Sequence, residues 1–340
     1  MGKFNIKHNK RLLIIIVSIL AALLVIAVGV VVWLNSLLNN INRIDPEETN
    51  QSIQLETLPG QATDETDPVI PQADKILASK NVINILLVGQ DRRENQEERM
   101  HSDSMILCTI NTTKKTITMT SFMRDVWVYV PGYHNTRLNV PYMHGGFKML
   151  NDTLEYNFGV RADYNVEIDF SGFMKAVDLI GGVEIELTEA EAKYLNKRGN
   201  WDIEENCNWD LKEGVNTLSG SQALAYSRIR KIDSDFKRTN RQRKVLTALI
   251  EKTGNLGISE LLPIVKEVLP LLATDMSNSQ IIGLIMDILP MLSNMEIVSQ
   301  RIPMDKQYSY ANKYGASVIV MSPENLEENK KLLIEAMSEE

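Results

Sequence analysis

Apolar residues fall into two regimes along this chain. Positions 12–34 are 23 consecutive residues without a charge. From residue 80 onward the apolar runs are short and broken by glycine, proline and turn residues. Residues 82–89 (VINILLVG) form a continuous apolar run closed by glycine, the pattern of a strand buried on both faces. Residues 103–110 and 116–121 flank the turn NTTKK and predict a hairpin. A further strand is expected at 126–130, stopped by Pro131-Gly132. Phe147, Leu150, Leu154 and Phe158 recur at helical spacing, and Gly159 supplies a C-cap.

The alternation continues through the second half. A strand is expected at 164–170, then a helix capped by Ser171, the breaker Gly181-Gly182 and a strand at 183–187. Thr188 with Glu191 forms a capping box for a short helix. Helices are expected at 219–229 and 238–252. Two very apolar helical segments, 261–272 and 281–292, are interrupted by Pro263, Pro270 and Pro290 and read as core or cover helices, with a lipid-lined groove as the sharper alternative. Strands at 296–302 and 317–321 close the domain, and Pro323 opens the last helix. Strands interleaved with helices predict an α/β domain over residues 80–340, a three-layer α-β-α arrangement around a central mixed sheet.

The uncharged run at 12–34 is long enough for one helix to cross a hydrocarbon core of about 30 Å. Lys3, Lys7, Lys10 and Arg11 precede it and the next cation is Arg43, so the positive-inside rule keeps residues 1–11 in the cytoplasm and puts the rest outside. A cleaved signal peptide is the competing reading, but its apolar core would be shorter. Residues 35–79 are acidic and proline-containing, with eight acidic residues and four prolines between positions 45 and 75. Such a segment buries too little surface to offset its ordering entropy and is expected to act as a flexible linker. A coil of that length spans about 35–40 Å, which keeps the domain near the membrane.

Charge then changes the picture. The net charge is -8, yet eight of the 17 residues from 228 to 244 are basic. Arg228, Arg230, Arg238, Arg241 and Arg243 supply planar forks suited to phosphate or carboxylate oxygens. Upstream, Asp91-Arg92-Arg93, Asp103 and Arg124-Asp125 sit at the ends of predicted strands. Carboxylates mixed with arginines point to a metal-bridged phosphate site, since carboxylates alone would repel the phosphate. Cys108 and Cys207 make at most one disulfide and read better as unpaired thiols. His8, His101, His134 and His144 lack zinc-ligand spacing with them. Nucleic-acid binding is disfavoured, because the basic segment lacks interleaved aromatics.

The stretches LLVGQD (86–91), HSDSMIL (101–107), SFMRDVWVYVP (121–131), RLN (137–139), DFSGFMKAVDLIGGVEIEL (169–187), LSGSQALAYSRIR (218–230) and DFKRTNRQRKVL (235–246) resemble, in order, the LytR-CpsA-Psr family of bacterial envelope proteins. The resemblance implies a membrane-anchored phosphotransferase that moves a glycopolymer, teichoic-acid-like or capsular, from a polyprenyl-pyrophosphate carrier to peptidoglycan outside the cell. It implies Mg²⁺ held by Asp91 and Asp103. It also implies pyrophosphate contacts from Arg124, Arg228, Arg230, Arg238 and Gln242, with Arg137 standing where the family has Lys or Arg before x-Asn. Asp125 is a candidate base and equally an ion pair that orients Arg124. Arg241 is a second-tier contact or a solvated helix face, and Arg92 and Arg93 are weaker.

Two departures from the pattern touch the phosphate site. The family's Arg-Ser-Asp reads His101-Ser102-Asp103 here, which replaces a permanent cation by a titratable one. Where some members carry another arginine after Arg-Asp, this chain has Trp127-Val128. The same site could pass the phosphoryl group to water as a hydrolase, and a non-catalytic regulator or lipid-binding module is the third class.

Overall fold

The computed structural model describes residues 33–45, 72–73, 80–90, 99–197, 209–254, 256–288, 291 and 294–339. Contacts divide the chain into residues 1–41 and 42–340. In the first unit, residues 33–38 are helical. The expected span at 12–34 and the linker at 35–79 lie largely outside the described residues, among which no helix is long and apolar enough to cross a membrane.

The second unit begins with β1 (Asn42–Arg43), and β2 (Val82–Gln90), β3 (Ser102–Asn111) and β4 (Thr116–Phe122) follow as an antiparallel meander. β5 (Trp127–Tyr129) and β6 (Asn135–Arg137) form a small hairpin before helix α1 (Val140–Phe158). β7 (Tyr164–Asp169) runs into α2 (Phe170–Leu179), then β8 (Val183–Leu187) and α3 (Glu189–Leu195). β9 (Gly214–Leu218), α4 (Gly220–Ser227), α5 (Asp235–Gly254) and α6 (Ile258–Val268) come next. A 3₁₀ turn at Leu269–Leu271 leads to β10 (Leu272–Thr274), α7 (Asn278–Ile288), β11 (Glu296–Ile302), β12 (Ser309–Lys313), β13 (Ala316–Val320) and α8 (Pro323–Met337).

Seven strands make the central sheet in the order β1-β10-β7-β2-β3-β4-β11. β7 is parallel to β2 and β11 to β4, whereas β2, β3 and β4 alternate, so the sheet is mixed. Strand period two gives β2 and β3 one apolar set for each face. Leu86, Val88, Met105 and Leu107 pack with Phe147, Leu150, Leu154 and Phe158 of α1 and Leu326, Leu333 and Met337 of α8. Ile85, Leu87, Ile106 and Cys108 meet Leu246 and Ile250 of α5 on the other face. Fully burying one such side chain contributes about 1.5–3 kcal/mol. A second cluster joins β8–β9 to α2, α3, α4 and α5 through Val177, Val183, Ile185, Leu195, Leu218, Tyr226 and Val245.

Several expectations hold at residue level. Gly159 closes α1 at φ 73, the Thr188–Glu191 capping box is formed, and Pro323 is the first residue of α8. Others are corrected. The cap of α2 is Asp169 rather than Ser171: its carboxylate accepts the Gly172 N–H at 2.8 Å. Both closing strands form, as β11 and β13, but β13 pairs with β12 in a hairpin separate from the central sheet. The segment 261–272 leaves the helix after Val268 and ends as strand β10, which pairs with β7. Cys108 is a free, buried thiol pushed up to about 12 by desolvation, and Cys207 lies outside the described residues.

Arg241 is also corrected. It is 4% exposed, donates from Nε to Glu191 Oε1 at 2.7 Å, pairs with Asp233 and reaches the Ile229 carbonyl. It ties α5 to α3 and to the loop after α4, and does not present a solvated face.

Two outcomes test this framework. A Cβ at Gly220 would sit 2.0 Å from the Met174 carbonyl oxygen, so Gly220→Ala should cost roughly 3 kcal/mol or more in urea denaturation. Arg241→Met leaves Glu191 buried without its guanidinium and should cost about 3–5 kcal/mol in the same measurement.

Candidate functional site

A cavity of about 630 Å³ opens between the central sheet and helices α2, α4 and α5. Each lining element changes character along its length. On α5, Arg238, Gln242, Leu246 and Leu249 line the cavity. Their spacing of four, four and three places them in one stripe that begins polar and ends apolar. On α4 and its end, Leu224, Ser227 and Arg228 do the same in reverse. β3 contributes Asp103 and Ser104 and then Ile106, while β7 and α2 add Val166, Ile168, Phe170 and Phe173. The result is a cavity with a charged end, called the mouth below, and an apolar end.

Asp103 reaches this cavity because of a strand irregularity. Gly89 pairs with Ser104 and Gln90 with Ser102, so Asp103 is an extra residue in β3. Successive residues of a regular strand point to opposite faces, and a bulge re-aims one of them. Asp103 and Ser104 therefore both line the cavity. Asp103 Oδ1 accepts from Arg124 Nη1 at 2.6 Å. Arg124 follows β4, and although burial opposes its charge, Asp103, Asp125 and Asp235 outweigh that and raise its pKa.

Arg230 and Arg238 are held by a carboxylate that is not among the expected site residues. Asp235 Oδ1 lies 2.8 Å from Arg238 Nε and 3.4 Å from Arg230 Nε. Arg238 is 2% exposed, and burial pushes it down to about 10, still protonated at neutral pH. Arg228 lies over the Phe170 ring at 4.7 Å. Gln242 Oε1 accepts from the Ser104 hydroxyl at 3.3 Å. An i,i+3 acid–base pair opening a basic helix was the available signal for Asp235.

Of the residues expected at the site, Asp103, Arg124, Arg228, Arg230, Arg238 and Gln242 converge on the cavity. Asp125, Arg137, His101 and Arg241 do not line it. Asp125 sits between Arg124 Nε at 3.6 Å and Arg137 Nη1 at 3.5 Å, the geometry of the ion-pair reading. His101 is half-buried, and burial followed by Arg137 lowers its pKa, with Asp103 opposing. It does not replace an arginine as a permanent cation. Asp91, Arg92 and Arg93 lie outside the described residues.

No group of three His, Cys, Asp or Glu side chains is placed to hold a metal among the described residues. Asp169 and Asp103 are the acidic residues lining the cavity, and Asp169 is committed to its cap. One carboxylate beside a cluster of arginines fits Mg²⁺, which is bound by one or two carboxylates together with substrate phosphates. The apolar helices α6 and α7 do not wall the cavity, and from the segment 261–272 only Leu272 lines it. The hydrocarbon-like lining comes instead from the sheet and from α2, α4 and α5.

Known proteins share this architecture. Over 182 residues the chain is 32% identical to the polyisoprenyl-teichoic acid–peptidoglycan teichoic acid transferase TagT of Bacillus subtilis (strain 168), covering 52% of this chain and 55% of TagT. It is 31% identical over 190 residues to the regulatory protein MsrR of Staphylococcus aureus (strain Mu50 / ATCC 700699), covering 55% of this chain and 54% of MsrR. The chain thus spans about half the length of the curated relatives it matches. A solved structure of TagT bound to LIIa-WTA aligns with a TM-score of 0.62 at 25% identity, over 81% of this chain and 98% of that chain. The family model matches residues 47–335, and the chain belongs to the LytR_cpsA_psr family.

Proposed function

We propose that this protein is a phosphotransferase that moves a glycopolymer from a polyprenyl-pyrophosphate carrier to peptidoglycan. The observation that carries the reading is the polar-to-apolar gradation of one cavity, with Asp103, Arg124, Arg228, Arg230 and Arg238 at the mouth and Phe170, Phe173, Leu224, Leu246 and Leu249 within. A prenyl pyrophosphate has the same two-part chemistry. The relative TagT is a transferase by name and has been solved with LIIa-WTA bound.

Within this reading the arginines bind the pyrophosphate and fix its orientation, supplying pre-aimed donors where charge develops as the phosphorus–oxygen bond to the carrier breaks. Asp103, with Asp91, would hold Mg²⁺, which supplies neutralisation of the pyrophosphate charge. Asp235 positions Arg230 and Arg238, and Asp125 positions Arg124 and Arg137. The interior excludes water from the carrier end. Residues 12–34 would anchor the chain in the cell membrane with residues 1–11 cytoplasmic and the domain outside, supported by the uncharged run and its basic flank.

The decisive experiment supplies the full chain with a prenyl-pyrophosphate-linked polymer, Mg²⁺ and a peptidoglycan glycan, and follows polymer by mass. Covalent attachment to glycan that disappears in Asp103→Ala, with folding intact, supports the reading. Release of polymer to water alone makes the protein a hydrolase, and no reaction leaves a binding or regulatory module. A second outcome concerns the lipid. Each buried CH₂ contributes about 0.8 kcal/mol, so long-chain prenyl pyrophosphates should bind well above short ones in calorimetric titration. Phe173→Asp should erase most of that difference and spare the short carriers, whereas equal affinity for both in the wild type would mean that only the head group is read.

A further inference from the structure

The β12–β13 hairpin lies outside the central sheet and is not needed to line the cavity. It is nonetheless fixed to the mouth. Val318 and Ile319 are buried, Ile319 donates its N–H to the Asp125 carbonyl at 2.9 Å, and Val126 bridges Ile319. The hairpin is therefore anchored on the segment that carries Arg124 and Asp125. What it turns outward is aromatic: Tyr310 is 64% exposed and Tyr314 48%.

These rings are backed by others. Tyr308 meets Tyr310 edge-on at 5.7 Å and lies 4.7 Å from Phe236, the residue after Asp235. Trp127 lies 6.1 Å from Tyr314, and its indole Nε1 is buried without a hydrogen-bond partner among the described residues. The hairpin tip is Tyr314-Gly315, with φ 50 and φ 80. Two-residue turns of this kind favour Asn or Gly at the first position, because a bulky side chain is strained at positive φ. A tyrosine there works against local folding, and such strain concentrates at sites of function.

The chemistry of the patch narrows its ligand. Aromatic rings offer flat apolar faces with a polar tip, which suits a pyranose ring, apolar on its C–H face and polar at its rim. The Tyr310 phenol is pushed up by partial burial, then by Tyr308, and then by the carboxylates of Asp235 and Asp125. Both carboxylates are already paired, Asp125 with Arg124 and Arg137 and Asp235 with Arg230 and Arg238, so ring stacking and hydrogen bonding at the phenol tips, rather than charge, select the ligand. We propose that Tyr310 and Tyr314, backed by Tyr308 and Trp127, form a shelf that binds uncharged hexopyranose units, those of the acceptor glycan, next to the phosphate mouth. The word acceptor rests on the transferase reading, but sugar binding at the shelf does not.

The test compares the full chain with a Tyr310→Ala/Tyr314→Asn double variant. Both sites are exposed, and Asn tolerates positive φ, so the hairpin is retained. The probe is a β-1,4-linked N-acetylglucosamine tetrasaccharide, followed by calorimetric titration. The variant should bind roughly tenfold more weakly or worse, with unchanged affinity for a short-chain prenyl pyrophosphate. Equal binding by both proteins, or none by the wild type at millimolar sugar, overturns the shelf. Preferential binding of poly(glycerol phosphate), or of phosphatidylcholine vesicles, that the same substitutions remove would reassign it to a polymer or a membrane and also overturns it. If sugar binding behaves as expected while the wild type transfers nothing, the transferase reading falls and the shelf stands. If transfer proceeds and the variant matches the wild type, the shelf falls alone.

Discussion

Like-charge repulsion is the constraint around which this protein is arranged. Arg124, Arg228, Arg230 and Arg238 line one cavity, and like charges gathered in a partly buried setting repel one another. The structure resolves this by interleaving carboxylates. Asp103 and Asp125 flank Arg124, while Asp235 lies within reach of Arg230 and Arg238. Under the proposed function, a polyanion entering the mouth would meet cations that are already aimed and already partnered. Its oxygens would exchange with carboxylates instead of drawing flexible side chains from water, which lowers the ordering cost of binding.

The same arrangement explains why so much of the fold is devoted to fixing ends of elements. Asp103 depends on a bulge in β3, Arg124 on the turn leaving β4, Arg228 on the end of α4 and Arg238 on the first turns of α5. Each charged group sits where an element stops or starts, and its apolar neighbours sit one or two turns inside. Burial of those neighbours supplies the stability that lets the mouth carry buried charge. Arg241 shows the contrast: three residues from Arg238, it is taken up by Glu191 and Asp233 and serves as a bolt between α3 and α5.

Much of this could be read in the sequence, for identifiable reasons. The strands at 82–90, 102–111 and 116–122 carry apolar residues on both faces, and the caps at Gly159 and Thr188 are local chemistry. The cavity residues Asp103, Arg124, Arg228, Arg230, Arg238 and Gln242 were legible through their motifs. What was not legible depends on tertiary partners. The bulge at Asp103 exists only relative to β2, and β1 and β10 are two- and three-residue strands with no pattern of their own. The hairpin at 309–320 has a polar outer strand that reads as loop. The direction of Arg241 was set by Glu191, fifty residues away, which no window of sequence connects to it.

The stripe on α5 carries a consequence for how such a protein can vary over time. Arg238 and Gln242 serve the charged end of the cavity and Leu246 and Leu249 the apolar end, all from one rigid helix. Exchanging any one of these side chains alters a single contact. Inserting or deleting one residue between Gln242 and Leu246 would rotate everything downstream by about 100°. The two chemistries of the ligand would then lie on different faces. Single exchanges along this helix can be absorbed one at a time, but its length between the charged and the apolar end of the cavity is locked.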